Sequence, residues 1–126
     1  MLTWLFAGML VFLFNVYLPA ALYFPAVGFK NHMGARDDLP EPNKMVQRAR
    51  RSLNNFQENM AVFLALGILS LVIDKVNMEM AVLGAQMFVI SRMAYIIFYM
   101  ISIPFTRSLA YGIGFVGMFM MAFALV

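Results

Sequence analysis

Residues 48–67 read RARRSLNNFQENMAVFLALG, a stretch that passes from charged through polar to strongly apolar residues. It begins with three arginines in four residues and ends in a run as apolar as a membrane helix. Backbone groups in lipid must be satisfied within the chain, so an apolar run of this kind is predicted to be a transmembrane helix. Polar side chains inside such a helix are costly and usually functional. The stretch carries Asn54, Asn55, Gln57 and Glu58 among them.

The whole chain shares this apolar character. Of its 126 residues, 63% are hydrophobic and 12% are charged, and the mean hydropathy is +0.82. Soluble domains carry about 25% charged residues. The composition therefore predicts an all-α integral membrane protein with a single domain over residues 1–126. The first apolar run lacks a basic start and is longer than a signal-peptide core, so we expect it to be a mature span.

Turn residues divide the chain into four predicted helices. Pro104 separates the third from the fourth, and the DKVN turn at 74–77 separates the second from the third. Pro19 and Pro25 predict kinks near the end of the first helix. The predicted four-helix bundle has helices at about 2–29, 44–73, 78–103 and 105–126, with a polar loop at 30–43.

Lysine and arginine lie mainly on one side of this bundle. They are dense between residues 30 and 51, and Arg107 follows the third helix, whereas Lys75 is alone on the other side. The positive-inside rule then predicts that the first and third loops are cytoplasmic and both termini lie on the opposite side. The net charge of +3 is small and lies at a membrane face, which argues for lipid and against nucleic acid as a partner.

The chain has no cysteine and one histidine, His32. This composition excludes disulfides, a cysteine nucleophile and a histidine-rich metal site. We therefore predict no metal, and we interpret His32 as a solvated loop residue. Any thiol chemistry would have to come from a ligand.

Polar residues on three of the predicted helices recur at helical spacing and form stripes. At 1.5 Å per residue, Glu58 lies roughly 15 Å from Arg48, and Arg92 lies roughly 16 Å from the end of the third helix. This similar depth predicts a Glu58–Arg92 ion pair and one polar cleft open to the cytoplasm. The stripes are Arg48, Arg51, Asn55 and Glu58 on the second helix, Arg92, Tyr95 and Tyr99 on the third, and Arg107, Ser108 and Tyr111 on the fourth.

Simpler interpretations stay open for single residues. The arginines at 48–51 can be membrane anchors, and tyrosines near helix ends can form an aromatic belt. The Glu58–Arg92 pair can be purely structural. Asn15 is predicted to form an interhelical hydrogen bond. Glycines 112, 114 and 117 predict close packing of the fourth helix, within the chain or between subunits.

Residues 48–58 resemble the RAxRAxxNxxE signature of the MAPEG family, the membrane-associated proteins in eicosanoid and glutathione metabolism. Residues 34–42 and 91–114 are similar to segments of its bacterial branch, and the resemblance covers essentially the whole chain. It implies a homotrimer of four-helix subunits and glutathione as co-substrate. It also implies a site between subunits that a lipophilic substrate enters from the bilayer. For a bacterial member the expected location is the inner membrane.

The resemblance also implies roles for individual residues. Arg107 is the expected catalytic residue, because the matching arginine is proposed to stabilise the glutathione thiolate. Ser108 and Tyr111 match its neighbours. Arg48 and Arg92 share the stripes described above and are placed in the same glutathione site. The residues expected to bind or line the tripeptide site through the resemblance are Arg51, Asn55, Glu58, Tyr95 and Tyr99.

Three functions are compatible with these features. The leading hypothesis is an enzyme that conjugates glutathione to lipophilic electrophiles or reduces lipid hydroperoxides. A second is a non-catalytic binding or regulatory protein on the same scaffold. A third is a small proton-coupled transporter using Glu58, which the arginine-rich cleft disfavours because it would repel cations.

Because the chain has no cysteine, single cysteines can report its orientation. We expect Asp37→Cys to react with a membrane-impermeant maleimide only from the cytoplasmic side. Lys75→Cys should react only from the opposite side. Labelling of intact cells, with inside-out vesicles as the control, measures both positions. The reverse pattern would show that the orientation is inverted.

Overall fold

The computed structural model describes residues 1–126 and contains four long α-helices. Each is long and apolar enough to cross a membrane. The chain is therefore an all-α four-helix protein, as the sequence predicts. The helices are α1 (Leu2–Met33), α2 (Lys44–Val72), α3 (Met78–Met100) and α4 (Pro104–Phe123).

Local chemistry explains where three of the helices begin. The side-chain oxygen of Asn43 accepts a 3.0 Å hydrogen bond from the Val46 N–H and caps α2. Asn77 caps α3 in the same way through Met80, at 3.1 Å. Pro104 opens α4, at a position where its missing N–H has no intrahelical partner to lose.

The end of α1 differs from the prediction. The helix continues to Met33 rather than ending near residue 29, and its non-helical backbone lies at Gly28 rather than at Pro19 or Pro25. Gly28 has φ 74°, a left-handed value that costs glycine little because it has no Cβ. His32 consequently lies in the last turn of α1. It is half-buried with its ring edge-on to Phe24, which corrects its assignment as a solvated loop residue.

The other helix ends differ by a few residues. α3 ends at Met100 rather than near 103, because Ser102 has φ 63° in the turn that leads to Pro104. α4 ends at Phe123 rather than at 126. The resulting α3–α4 turn brings the start of α4 close to the last turn of α3.

Aromatic rings from α2 and α3 form the centre of the core. Phe63 and Phe88 stack with ring centres 4.3 Å apart, and Phe56 lies edge-on to Phe88 at 6.0 Å. Leu5 from α1 and Met121 from α4 belong to the same buried cluster. One core therefore joins all four helices.

A buried polar contact joins α1 to α2. The Asn15 side-chain NH2 donates to the Ser52 hydroxyl at 3.4 Å, and both residues are fully buried. The interhelical hydrogen bond predicted for Asn15 is thus confirmed.

Close backbone packing joins α3 to α4, which share the largest helix–helix contact. A Cβ added at either Gly84 or Gly117 would lie 2.5 Å from the backbone oxygen of the other glycine. A Cβ at Gly114 would lie 2.5 Å from the Ser91 hydroxyl, whereas Gly112 has open space. Glycine at such positions lets membrane helices approach closely. Gly114 and Gly117 therefore pack within the chain, and Gly112 takes no part in this contact between α3 and α4.

We expect Gly84→Ala and Gly117→Ala to destabilise the protein, because the added methyl group would push the two helices apart. Overpacking of this kind costs about 1–3 kcal/mol. Thermal unfolding in detergent measures the loss, and Gly112→Ala is the matched control because its methyl group meets no neighbour. Equal stability of all three variants would show that this contact does not hold the helices together.

Candidate functional site

The polar stripes of α2, α3 and α4 meet in one pocket. Its volume is about 240 Å³. Every residue that lines it was predicted as a site residue from the sequence. The lining residues are Asn55, Tyr95, Tyr99, Arg107, Ser108 and Tyr111.

Arg107 is the cation of this pocket. It lies in the first turn of α4 and is half-buried, with its guanidinium carbon 4.7 Å from the centre of the Tyr99 ring. A cation over an aromatic face is held by electrostatic attraction. The ring orients Arg107 without neutralising its charge, so the guanidinium can face an anion. Ser108 follows it, with its hydroxyl donating to the Pro104 backbone oxygen at 3.2 Å.

Three tyrosines form an aromatic wall that crosses from α3 to α4. The ring centres of Tyr95 and Tyr99 are 5.5 Å apart, and those of Tyr95 and Tyr111 are 6.4 Å apart. Tyr95 and Tyr111 lie on different helices. Their separation therefore depends on the close α3–α4 packing at Gly84 and Gly117.

Asn55 provides the α2 side of the pocket and is held at two points. Its side-chain oxygen accepts a 2.8 Å hydrogen bond from Nη1 of Arg92. Its backbone oxygen accepts a 2.8 Å hydrogen bond from the side-chain NH2 of Asn59. Both the backbone and the amide group of Asn55 are thus fixed by the protein.

Arg92 lies behind this wall rather than in the pocket. It is 1% exposed, and its guanidinium carbon is 5.1–5.8 Å from the centres of four rings. Phe56 and Phe88, two of these rings, were missed from the sequence. The i, i+4 spacing of Phe88 and Arg92 is the pattern that would have indicated one of them. The four rings are those of Phe56, Phe88, Tyr95 and Tyr111.

The other predicted residues of α2 lie outside the pocket lining. Arg48 donates from Nη1 to the backbone oxygen of Met100 at 3.4 Å, which ties α2 to the end of α3. Arg51 and Glu58 are exposed and flank Asn55 on the same face of α2. The predicted Glu58–Arg92 ion pair is wrong within this chain. The Arg92 guanidinium donates to the side-chain oxygen of Asn55 instead, and Asn55 lies one turn before Glu58 in α2.

A second cavity, of about 380 Å³, lies against a different face of α2, between α1 and the polar loop. The guanidinium carbon of Arg50 lies 5.2 Å from the centre of the Tyr23 ring. The Tyr23 hydroxyl donates to the backbone oxygen of Pro40. These contacts, which sequence reasoning missed, hold the loop against α1 and α2.

The whole chain is similar to one known protein family. The model of the MAPEG family matches residues 1–126. The chain belongs to the MAPEG family. A search of curated proteins and a search of solved structures returned no match. MAPEG members are commonly glutathione-dependent transferases and peroxidases, so the family assignment confirms the resemblance and gives the pocket a chemical context.

Proposed function

We propose that this MAPEG protein is a glutathione-dependent membrane enzyme. It would activate the glutathione thiol for conjugation to lipophilic electrophiles or for reduction of lipid hydroperoxides. The observation that carries the proposal is the pocket itself, where Arg107 meets three tyrosines and Asn55. These groups come from three helices, and the residues match those implied for glutathione binding in the family.

The donor groups of the pocket suit a peptide with carboxylates and a thiol. Guanidinium groups bind carboxylates strongly, and amide and phenol groups add neutral hydrogen-bond donors. Ligand pockets commonly have volumes of about 300–1,000 Å³. The pocket of one chain, at about 240 Å³, is smaller. One subunit therefore offers part of a site rather than a complete enclosure.

We further propose that copies of the chain complete the site as a homotrimer. Arg51 and Glu58 are exposed charged residues within the α2 span. Charged side chains facing lipid are costly, so contact with another subunit or with bound peptide would remove an unfavourable exposure. The trimer is the assembly that the family resemblance implies.

Arg107 is the proposed catalytic residue. A cation beside a thiol favours its ionised form, and the thiolate is the nucleophile. In conjugation, the sulfur forms a bond to an electrophilic carbon, and the displaced electron pair leaves with a leaving group or takes up a proton. In the reduction, two glutathione molecules become one disulfide while the hydroperoxide becomes an alcohol and water. Both reactions begin with the same thiolate, so one cation serves both.

We expect Arg107→Ala to lower kcat/KM with a model electrophile by about 10²–10³, the loss typical of removing one group that stabilises developing charge. Ultraviolet absorbance of bound glutathione should show less thiolate at the same time. Arg36→Ala is the matched control, because Arg36 is an exposed loop cation outside the pocket. Full thiolate formation and turnover in Arg107→Ala would remove Arg107 from the mechanism. Binding without turnover of any electrophile or hydroperoxide would favour the non-catalytic alternative.

The assembly is tested separately. Light scattering of the purified protein, corrected for detergent, should give three times the 14.3 kDa of one chain. The addition of glutathione should not change this mass if the subunits associate without ligand. A mass of one chain would contradict the proposed trimer.

A further inference from the structure

We propose that Arg92 is a positioning residue that fixes the Asn55 side-chain amide, so that its NH2 group faces the pocket as a hydrogen-bond donor. The inference rests on the proposed function only for the identity of the ligand. It replaces the expectation that Arg92 itself binds glutathione.

The burial of Arg92 separates it from any ligand. The residue is 1% exposed and does not line the pocket. It does contact the rear of the pocket wall, since its guanidinium carbon lies 5.6 Å from the Tyr95 ring centre and 5.1 Å from that of Tyr111. Arg92 therefore contacts three of the six lining residues, namely Asn55, Tyr95 and Tyr111.

The chemistry of the two groups decides which end of the amide faces Arg92. A guanidinium group has only donors, whereas an asparagine side chain has one acceptor oxygen and one donor nitrogen. The atom 2.8 Å from Nη1 of Arg92 must therefore be the Asn55 oxygen. The NH2 group is left for the pocket that Asn55 lines. Beside Asn55, the pocket therefore favours a hydrogen-bond acceptor of the ligand, such as a carboxylate or carbonyl oxygen of the peptide.

The surroundings of Arg92 leave it little freedom. A Cβ placed at Gly114 would lie 3.6 Å from its Nε and 3.7 Å from its Nη2, so the α4 backbone packs beside the guanidinium. The rings of Phe56 and Phe88 cover it from the core side, at 5.8 and 5.1 Å. An amide held in one orientation loses less entropy when a ligand binds, which favours affinity.

The cost of this arrangement argues for a role beyond packing. Nε and Nη2 of Arg92 are buried and have no hydrogen-bond partner in the chain. Burying a charge without full hydrogen bonding is unfavourable, and an apolar side chain would fill the same space without that penalty. The bond to Asn55 is the one hydrogen bond that the Arg92 side chain makes within the chain, and an apolar side chain could not supply it.

A double-mutant cycle tests the coupling. Glutathione affinity is measured by calorimetry for wild type, Asn55→Ala, Arg92→Met and the double variant. We expect each single variant to weaken binding about tenfold, as for loss of one hydrogen bond to a charged group. The double variant should bind no more weakly than Asn55→Ala, because Arg92 acts through Asn55. Losses that multiply would overturn the proposal.

Two conservative variants test the direction of the hydrogen bond. Asn55→Asp would accept from Arg92 but present an acceptor to the pocket, so it should bind glutathione more weakly than Asn55→Ala. Arg92→Lys retains a donor and should bind more tightly than Arg92→Met. Binding by Asn55→Asp that equals or exceeds that of Asn55→Ala would overturn the proposal, and this arm holds even if Arg92→Met does not fold.

An NMR measurement on the protein without glutathione tests this inference independently of the proposed function. In protein labelled with ¹⁵N-asparagine, the Asn55 NH2 group should give one narrow pair of NMR signals. Arg92→Met, or Arg92→Lys if the first does not fold, should broaden or split them, and the control Arg48→Met should not. If the signals respond but wild type binds no glutathione, the proposed function fails and the positioning role stands. Unchanged signals in the Arg92 variants would overturn the positioning role.

Discussion

Polar groups within a membrane-spanning bundle are costly unless they find partners inside the protein, and this constraint organises the whole structure. It makes the apolar runs helical, because each helix satisfies its own backbone. It also explains the side-chain pairs that cross between helices. Asn15 bonds to Ser52, and Arg92 bonds to Asn55. Each pair joins α2 to a neighbour at a depth where an unpaired polar group would be costly.

Close packing of α3 and α4 forms one wall of the pocket. Gly84 and Gly117 bring the two backbones together, so residues from both helices form one wall. Tyr99 on α3 then reaches Arg107 on α4. The only α2 residue in the lining, Asn55, is set from behind by Arg92. The geometry of the site therefore depends on how the helices pack.

The distribution of charge distinguishes among the functions considered from the sequence. Within one chain, Glu58 is exposed on α2 and lines no part of the pocket, so a single chain offers no internal pathway for a transporter that uses this carboxylate. Arg107 is in the pocket, over a tyrosine ring and facing a space lined by neutral donors. This arrangement suits an anionic ligand, and it supports the proposed thiolate chemistry in a MAPEG protein.

The four helices, the MAPEG family and all six residues of the pocket lining were predicted from the sequence. Length, apolar character and proline positions are local properties, and i, i+4 spacing places residues on one helix face regardless of the neighbours. The prediction placed the kinks of α1 at Pro19 and Pro25, because proline usually breaks a helix. Both prolines lie within helical backbone, and the non-helical residue is Gly28.

Which polar residues meet depends on how the helices pack against one another, and the sequence did not show this. Counting residues along each helix placed Glu58 and Arg92 at a similar depth. The count does not show how each helix is rotated about its axis. That rotation is set by the packing of Phe56, Phe63 and Phe88 and by the glycines of α3 and α4. It directs Arg92 to Asn55 and leaves Glu58 exposed, because contacts between helices depend on the shape of the whole core rather than on any single segment.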